Sequence, residues 1–292
     1  MSDDEVLLGS PPICYGSRIE RGSPTHSSTS APTSVQAASD PVVYEQPLNE
    51  RIRTFLRLEY LFSQHAHHAQ DPSIFGLRAR LASMLDILTV LGRSDLKKDI
   101  LKELLEQHSA LTKLSSRPGV DPRRLQGVLG EIDAAATGLR QLATQFAASA
   151  LRDNEFLISI YNRTTIPGGT CTFDLPAYHF WLSQPGDAAR RDLDAWFKDL
   201  SPFERAIRLY LALLRGSTEI TPATARDGVY VNAPNISCQL LRVIVPPECG
   251  LYPEISAGAH RFTIRFMSLG DINRRSSQAH SDFSFSIQCC AL

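Results

Sequence analysis

Arg261-Phe262-Thr263-Ile264-Arg265-Phe266 alternates polar and apolar side chains without a break. A period of two is that of a half-buried strand, so Phe262, Ile264 and Phe266 face one way and Arg261, Thr263 and Arg265 the other. At about 3.3 Å per residue the α-carbons of the two arginines lie about 13 Å apart on one face. Segments at roughly 228–233, 237–245, 251–256 and 282–290 are of the same kind, with Pro, Gly and Asn between them. From Asp227 onward the chain therefore predicts a run of strands.

Upstream the period is helical. Pro47 suits a first helical turn, and Leu48, Ile52, Phe55, Leu56 and Phe62 recur at helical spacing; Ile74, Leu77, Leu81, Met84, Leu85, Leu88 and Leu91 mark a second stripe. A third runs through Leu96, Ile100, Leu104 and Leu111. A fourth opens with Asp121 as cap and Pro122 at its first position, and continues through Leu125, Val128, Ile132, Leu139 and Phe146. Ile166-Pro167-Gly168-Gly169 interrupts the pattern, and the β-branched and aromatic content of 170–173 and 177–182 predicts strands there. Two helices follow, near 187–200 and from Ser201, where Ser201 and Glu204 have capping-box spacing and each can satisfy an orphan amide.

The predicted fold class is α+β: an N-terminal helical bundle plus a mostly antiparallel β domain, discontinuous in sequence. The expected division is a Ser/Pro/Thr-rich disordered tail over 1–41, a helical domain over 42–160 and 186–216, and a strand domain over 161–185 and 217–292.

The 292 residues carry 30 Lys+Arg against 31 Asp+Glu, a formal net charge of -1. Residues 1–41 hold five acids and two arginines, leaving 28 basic and 26 acidic groups in the rest. Such a balance argues against a general nucleic-acid binder. No stretch approaches the roughly 18–20 apolar residues of a membrane span, and the opening Ser-Asp-Asp-Glu is not a basic leader. Six cysteines without C-x-x-C spacing suggest free thiols in a cytoplasmic protein.

Catalytic signatures are lacking: no G-x-x-x-x-G-K-[ST], H-E-x-x-H or G-x-S-x-G occurs. Cys171 and His179 have no reason to converge as a thiolate pair, and the Cys289-Cys290 pair names no metal partner. His65, His67 and His68 read as a solvated helix end rather than a metal tract. No cofactor and no metal are expected.

Arginines are the informative residues. Arg53 and Arg57 stand four apart on one helix face, where like charges repel unless something negative is near. With Arg261 and Arg265 they admit two readings. In the first, each solvates its element or pairs internally; in the second, the spaced guanidinium forks suit two carboxylates of one extended acidic peptide.

The same segments carry a family likeness. Residues 44–59 (Tyr-Glu-Gln-Pro-Leu-Asn-Glu-Arg-Ile-Arg-Thr-Phe-Leu-Arg-Leu-Glu), the Ile166–Pro176 block followed by His179 and Trp181, and Leu251–Ser256 with Arg261–Met267 and the terminal Cys289-Cys290 resemble the bacterial cell division protein family ZapD. The resemblance implies a non-enzymatic cytoplasmic protein at the mid-cell division site. Such a protein would be a homodimer that binds the C-terminal tail of FtsZ through a basic surface and bundles its protofilaments. The partner-binding residues implied are Arg53, Arg57, Arg93, His179, Arg261 and Arg265. Glu155 replaces a basic residue of the family pattern, and His179 could instead be an interior histidine sharing a strand face with Trp181. The rival readings are a cysteine-dependent enzyme and a nucleic-acid-binding module.

Overall fold

Valines and a tyrosine open the described chain, and they form a strand. The computed structural model describes residues 40–92, 95–115, 119–142, 153–185, 187–233, 237–258 and 261–292. Strand β1 (Val42–Pro47) pairs antiparallel with β4 (Leu240–Val245), from Val42↔Val245 to Pro47↔Leu240. This corrects the helical start expected at Pro47. A proline lacks the amide donor, so it closes an edge strand here. Helix α1 (Glu50–His68) begins three residues later, where Asn49 Oδ1 accepts from the Ile52 amide at 2.8 Å.

Helices α2 (Ile74–Gly92), α3 (Leu96–Thr112) and α4 (Pro122–Gln141) follow as the apolar stripes require. Asp121 caps α4 as expected, accepting from the Arg123 amide at 2.9 Å. Next come α5 (Glu155–Tyr161), α6 (Pro176–Leu182), α7 (Ala188–Lys198) and α8 (Ser201–Arg215). Here α6 overturns the strand expected at 177–182, and 170–173 forms turns. Aromatic content suggested a strand, but the residues that become buried are Tyr178 and Leu182, one helical turn apart, and Pro176 occupies the first turn. The capping box at α8 is also not formed. Leu200, fully buried, precedes the helix in helical conformation, and Ser201 Oγ donates back to Lys198 O at 2.8 Å.

The helices close over one apolar core in which Phe55, Phe62, Ile100, Ile207, Tyr210 and Leu211 are fully buried; Leu175, Tyr178 and Leu182 join it. Within it the histidine tract departs from a solvated helix end. His65 is buried, stacks on Phe197 at 3.9 Å, and sits with Nδ1 3.2 Å from Arg80 O while Arg80 Nε donates to its Nε2. That geometry selects the neutral Nδ1–H tautomer. Burial, with the Arg80 charge beside it, lowers the His65 pKa to about 4.

Strands β2 (Thr221–Ala225), β3 (Val229–Asn232), β5 (Leu251–Ala257), β6 (Phe262–Ser268), β7 (Ser277–Gln278) and β8 (Phe283–Cys290) complete two antiparallel sheets. The first has the order β1-β4-β8-β2, and the second β3-β6-β5 with β7 beside β6. They enclose a second core of Leu241, Val243, Val245, Phe262, Ile264, Phe266, Phe285 and Ile287. Leu240 and Cys290 belong to the helical core instead, so the first sheet lies between the helices and the second sheet. Polar groups fasten it to α8. Arg215 bonds both carboxylate oxygens of Glu45 at 2.8 Å and reaches Glu59 at 2.6 and 2.8 Å, while Arg242 Nε donates to Glu45 Oε1 at 2.9 Å. Gln288 Nε2 donates to the carbonyls of Arg215 and Thr218, and Gln288 Oε1 accepts from Arg242.

Candidate partner-binding surface

Each arginine is placed by the period of its element. In α1 the buried residues Ile52, Phe55, Leu58 and Phe62 take the inner face, which turns Arg57 fully outward and Arg53 partly so. Arg53 is ion-paired with Glu50 one turn earlier, so part of its charge is balanced. Arg57, one turn on, has no ion pair among the described residues.

On the second sheet, Phe262, Ile264 and Phe266 fill the core and leave Arg261 and Arg265 exposed, as the alternation requires. Arg261 stands at the hairpin joining β5 to β6, where its carbonyl accepts from the Gly258 amide at 2.9 Å. Arg265 lies directly opposite Glu254 of β5 and opposite Val229 of β3. Glu254 and Arg265, with Ser256 and Thr263, line a shallow depression of about 250 Å³ on this outer face. Neither arginine has an ion pair among the described residues. Glu254 was missed in the sequence; the signal was the hairpin register, which sets it across from Arg265.

The two pairs are on different layers. Arg53 and Arg57 belong to the helical layer, whereas Arg261 and Arg265 face away from the first sheet.

His179 is exposed on α6, which removes the interior alternative, since no strand exists for it to share with Trp181. Trp181 instead donates from Nε1 to Asp192 Oδ2 at 2.9 Å. Arg93 lies outside the described residues. Glu155 occupies the first position of α5, where a carboxylate complements the helix N-terminus and Asn154 caps the Leu157 amide at 3.0 Å. That local advantage accounts for an acid at this position.

Cys171 Sγ donates to Asp174 Oδ2 at 3.2 Å, not to His179. Burial pushes Cys290 up to about 11 and helps raise Cys238, after the hydrogen bond that Cys238 shares with Cys289; the same bond lowers Cys289. Among the described residues no group of three or more His, Cys, Asp or Glu side chains could hold a metal ion, and no helix is long and apolar enough to cross a membrane.

Comparison with known proteins decides the family. A family model described as "ZapD: Cell division protein" matches residues 56–265. The chain belongs to the ZapD family. It is 40% identical over 253 residues to a cell division protein ZapD of Methylococcus capsulatus (strain ATCC 33009 / NCIMB 11132 / Bath), covering 86% of this chain and 98% of that protein. A ZapD of Coxiella burnetii (strain RSA 331 / Henzerling II) is 38% identical over 86% of this chain and 98% of its own length, and one of Azoarcus sp. (strain BH72) is 38% identical over 86% and 100%. The ZapD match encloses Arg57, Arg93, His179, Arg261 and Arg265; Arg53 precedes it. It takes in most of α1, helices α2 to α8 and strands β2 to β5, and ends within β6; β1, β7 and β8 lie outside it.

Proposed function

We propose that this chain is a non-enzymatic division factor that binds the C-terminal tail of FtsZ and, as a homodimer, cross-links FtsZ protofilaments at the mid-cell division site in the cytoplasm. The observation that carries the reading is that Arg57, Arg261 and Arg265 are exposed with no ion pair among the described residues, in a chain of a cell division family. Uncommitted guanidinium groups are what a carboxylate-rich peptide requires, because Arg binds carboxylate through two parallel hydrogen bonds. Arg53, Arg93 and His179 complete the proposed basic surface.

Two such surfaces on a dimer join two filaments without any new filament-to-filament contact, since tethering converts the second binding event into an intramolecular one. Exposed charge pairs are screened over about 8–10 Å at ordinary ionic strength, so bundling falls as salt rises. Co-sedimentation of FtsZ polymers tests the assignment. Wild type is expected to pellet bundles, and Arg261→Glu/Arg265→Glu to lose most of that activity. Equal pelleting by both proteins would overturn the surface assignment, and full bundling by a strictly monomeric variant would overturn the bivalent mechanism. Replacing Cys171, Cys289 and Cys290 with Ser is expected to leave bundling intact, which separates this reading from a cysteine-dependent enzyme.

A further inference from the structure

Adjacent in sequence, Cys289 and Cys290 point to opposite faces of β8. Cys290 is fully buried in the helical core, whereas Cys289 packs, partly buried, against the core between the sheets. The pleat of the strand turns such neighbours away from each other. Each thiol therefore meets its own set of partners.

The partner of Cys289 is Cys238. Cys289 stands opposite Leu241 in the β4–β8 ladder, and Cys238 precedes β4 by two residues. There the Gln239 amide donates to the Cys290 carbonyl at 2.8 Å, although Cys290 is already the ladder partner of Leu240. Two residues of the incoming chain thus face one of β8, as at a bulge. Cys238 is buried in the core between the sheets, with its Sγ 3.3 Å from Leu240 O, and shares a hydrogen bond with the Cys289 thiol. Other described cysteines are engaged elsewhere: Cys171 donates to Asp174, and Cys249 Sγ accepts from the Leu251 amide at 3.3 Å.

Roles differ within the pair. The shared hydrogen bond lowers Cys289 from its ordinary value and, with burial adding to it, raises Cys238. Cys289 is also the more open of the two, since Cys238 is only 5% exposed. A reachable thiolate beside a buried thiol that keeps its proton is the arrangement of an attacking and a resolving cysteine.

We infer that Cys238 and Cys289 are a modification site, closing to a reversible disulfide when a hydroperoxide such as hydrogen peroxide oxidises them. The Cys289 thiolate attacks one peroxide oxygen: an S–O bond forms, the O–O bond breaks, the sulfur gives up two electrons, and hydroxide leaves to take the proton that Cys289 has shed. The Cys238 sulfur then attacks the Cys289 sulfur. An S–S bond forms, the S–O bond breaks, and the departing hydroxide takes the Cys238 proton. Two thiols and one hydrogen peroxide become one disulfide and two waters, and an external dithiol reverses the bond by exchange. The disulfide closes the chain from 238 to 289, which carries β4 to β7 and most of β8, and so restrains both sheets against opening. Nothing in it depends on the tail-binding reading.

Peptide mapping tests it on the full chain, treated with stoichiometric hydrogen peroxide and digested without reductant. Wild type is expected to yield a linked Cys238–Cys289 peptide, lighter by two hydrogens than its parts and separated by dithiothreitol, and to lose two of its six thiols. Its melting temperature is expected to rise by about 5 °C on oxidation and to fall back on reduction. Cys290→Ser is expected to retain both the link and the rise. Cys238→Ser is expected to stop at a Cys289 sulfenic acid that dimedone captures, and Cys289→Ser to leave Cys238 reduced. Oxidised wild type in which Cys289 is linked to Cys290 or Cys14, or in which Cys238 stays free, would overturn the pairing. A linked peptide with an unchanged melting temperature would overturn the restraint on the sheets.

Discussion

Two buried clusters of ionisable groups hold this protein together, and they solve the same problem in opposite ways. Between α1, α2 and α7, His65 is kept neutral and Arg80, only 5% exposed, passes its charge at 2.6 Å to Asp194, whose side chain is 60% exposed. Between α8 and the first sheet nothing is neutralised. Arg215 and Arg242 face Glu45 and Glu59 in a closed set of charges, each with about a fifth to a quarter of its side chain open to water where its ion pair is described. For Glu45, burial works against ionisation, but the Arg215 and Arg242 contacts outweigh it and the net effect lowers its pKa. The helical cluster therefore depends on the absence of a proton from an imidazole, and the junction depends on a complete complement of charge.

Removing one member of the closed set breaks the comparison most sharply. Arg215→Met leaves Glu45 and Glu59 half-compensated and is expected to cost about 2–4 kcal/mol, somewhat below a fully buried pair because the site is partly open. Chemical denaturation at pH 7 measures it; a loss under 1 kcal/mol would show that water or Arg242 replaces the missing guanidinium.

Acid sharpens the contrast. The folded pKa of His65, about 4, lies below its ordinary value of 6.5, so the unfolded chain takes up the proton first as pH falls. Its contribution is complete above about 6.5 and declines between about 6.5 and 4, and the loss amounts to about 2–3 kcal/mol by pH 4.5. The Glu45 contribution is present above the ordinary Glu range and is lost only below it. Stability of wild type and His65→Gln should thus converge between pH 7 and 4.5, and parallel curves would refute the neutral-imidazole account. The smallest effect lies where sheet and helix join along the chain: Asn49→Ala removes the α1 cap and is expected to cost about 1 kcal/mol by thermal melt.

The two regions were unequally legible in the sequence. Helices with a single apolar stripe, such as α2 and α4, and the alternating strand β6 could be read directly, because period alone determines which side chains leave water. Strand β1 and helix α6 could not. Each spans only six or seven residues, too few for a period to outweigh composition, and their fates were decided by partners distant in sequence, β4 for one and the helical core for the other. The candidate site divides similarly. Exposure of Arg57, Arg261 and Arg265 follows from local alternation, whereas the Glu50 pairing of Arg53 and the Glu254 opposite Arg265 need rotamers and register. Burial of His65 had no local signal, since Phe197 and Asp194 come from α7.

The pairing of β1 with β4 also orders events in time. Val42 meets Val245, about 200 residues later, and β4 in turn needs β8 near the chain's end. On a ribosome the first helices can collapse on one another while the first sheet still lacks both its central strands. Until residues 240–290 emerge, the Val42-Val43 edge has no neighbour to pair with. Closure of the first sheet therefore waits for β4 and β8, and a mutation in β8 would retard assembly of a strand about 240 residues before it.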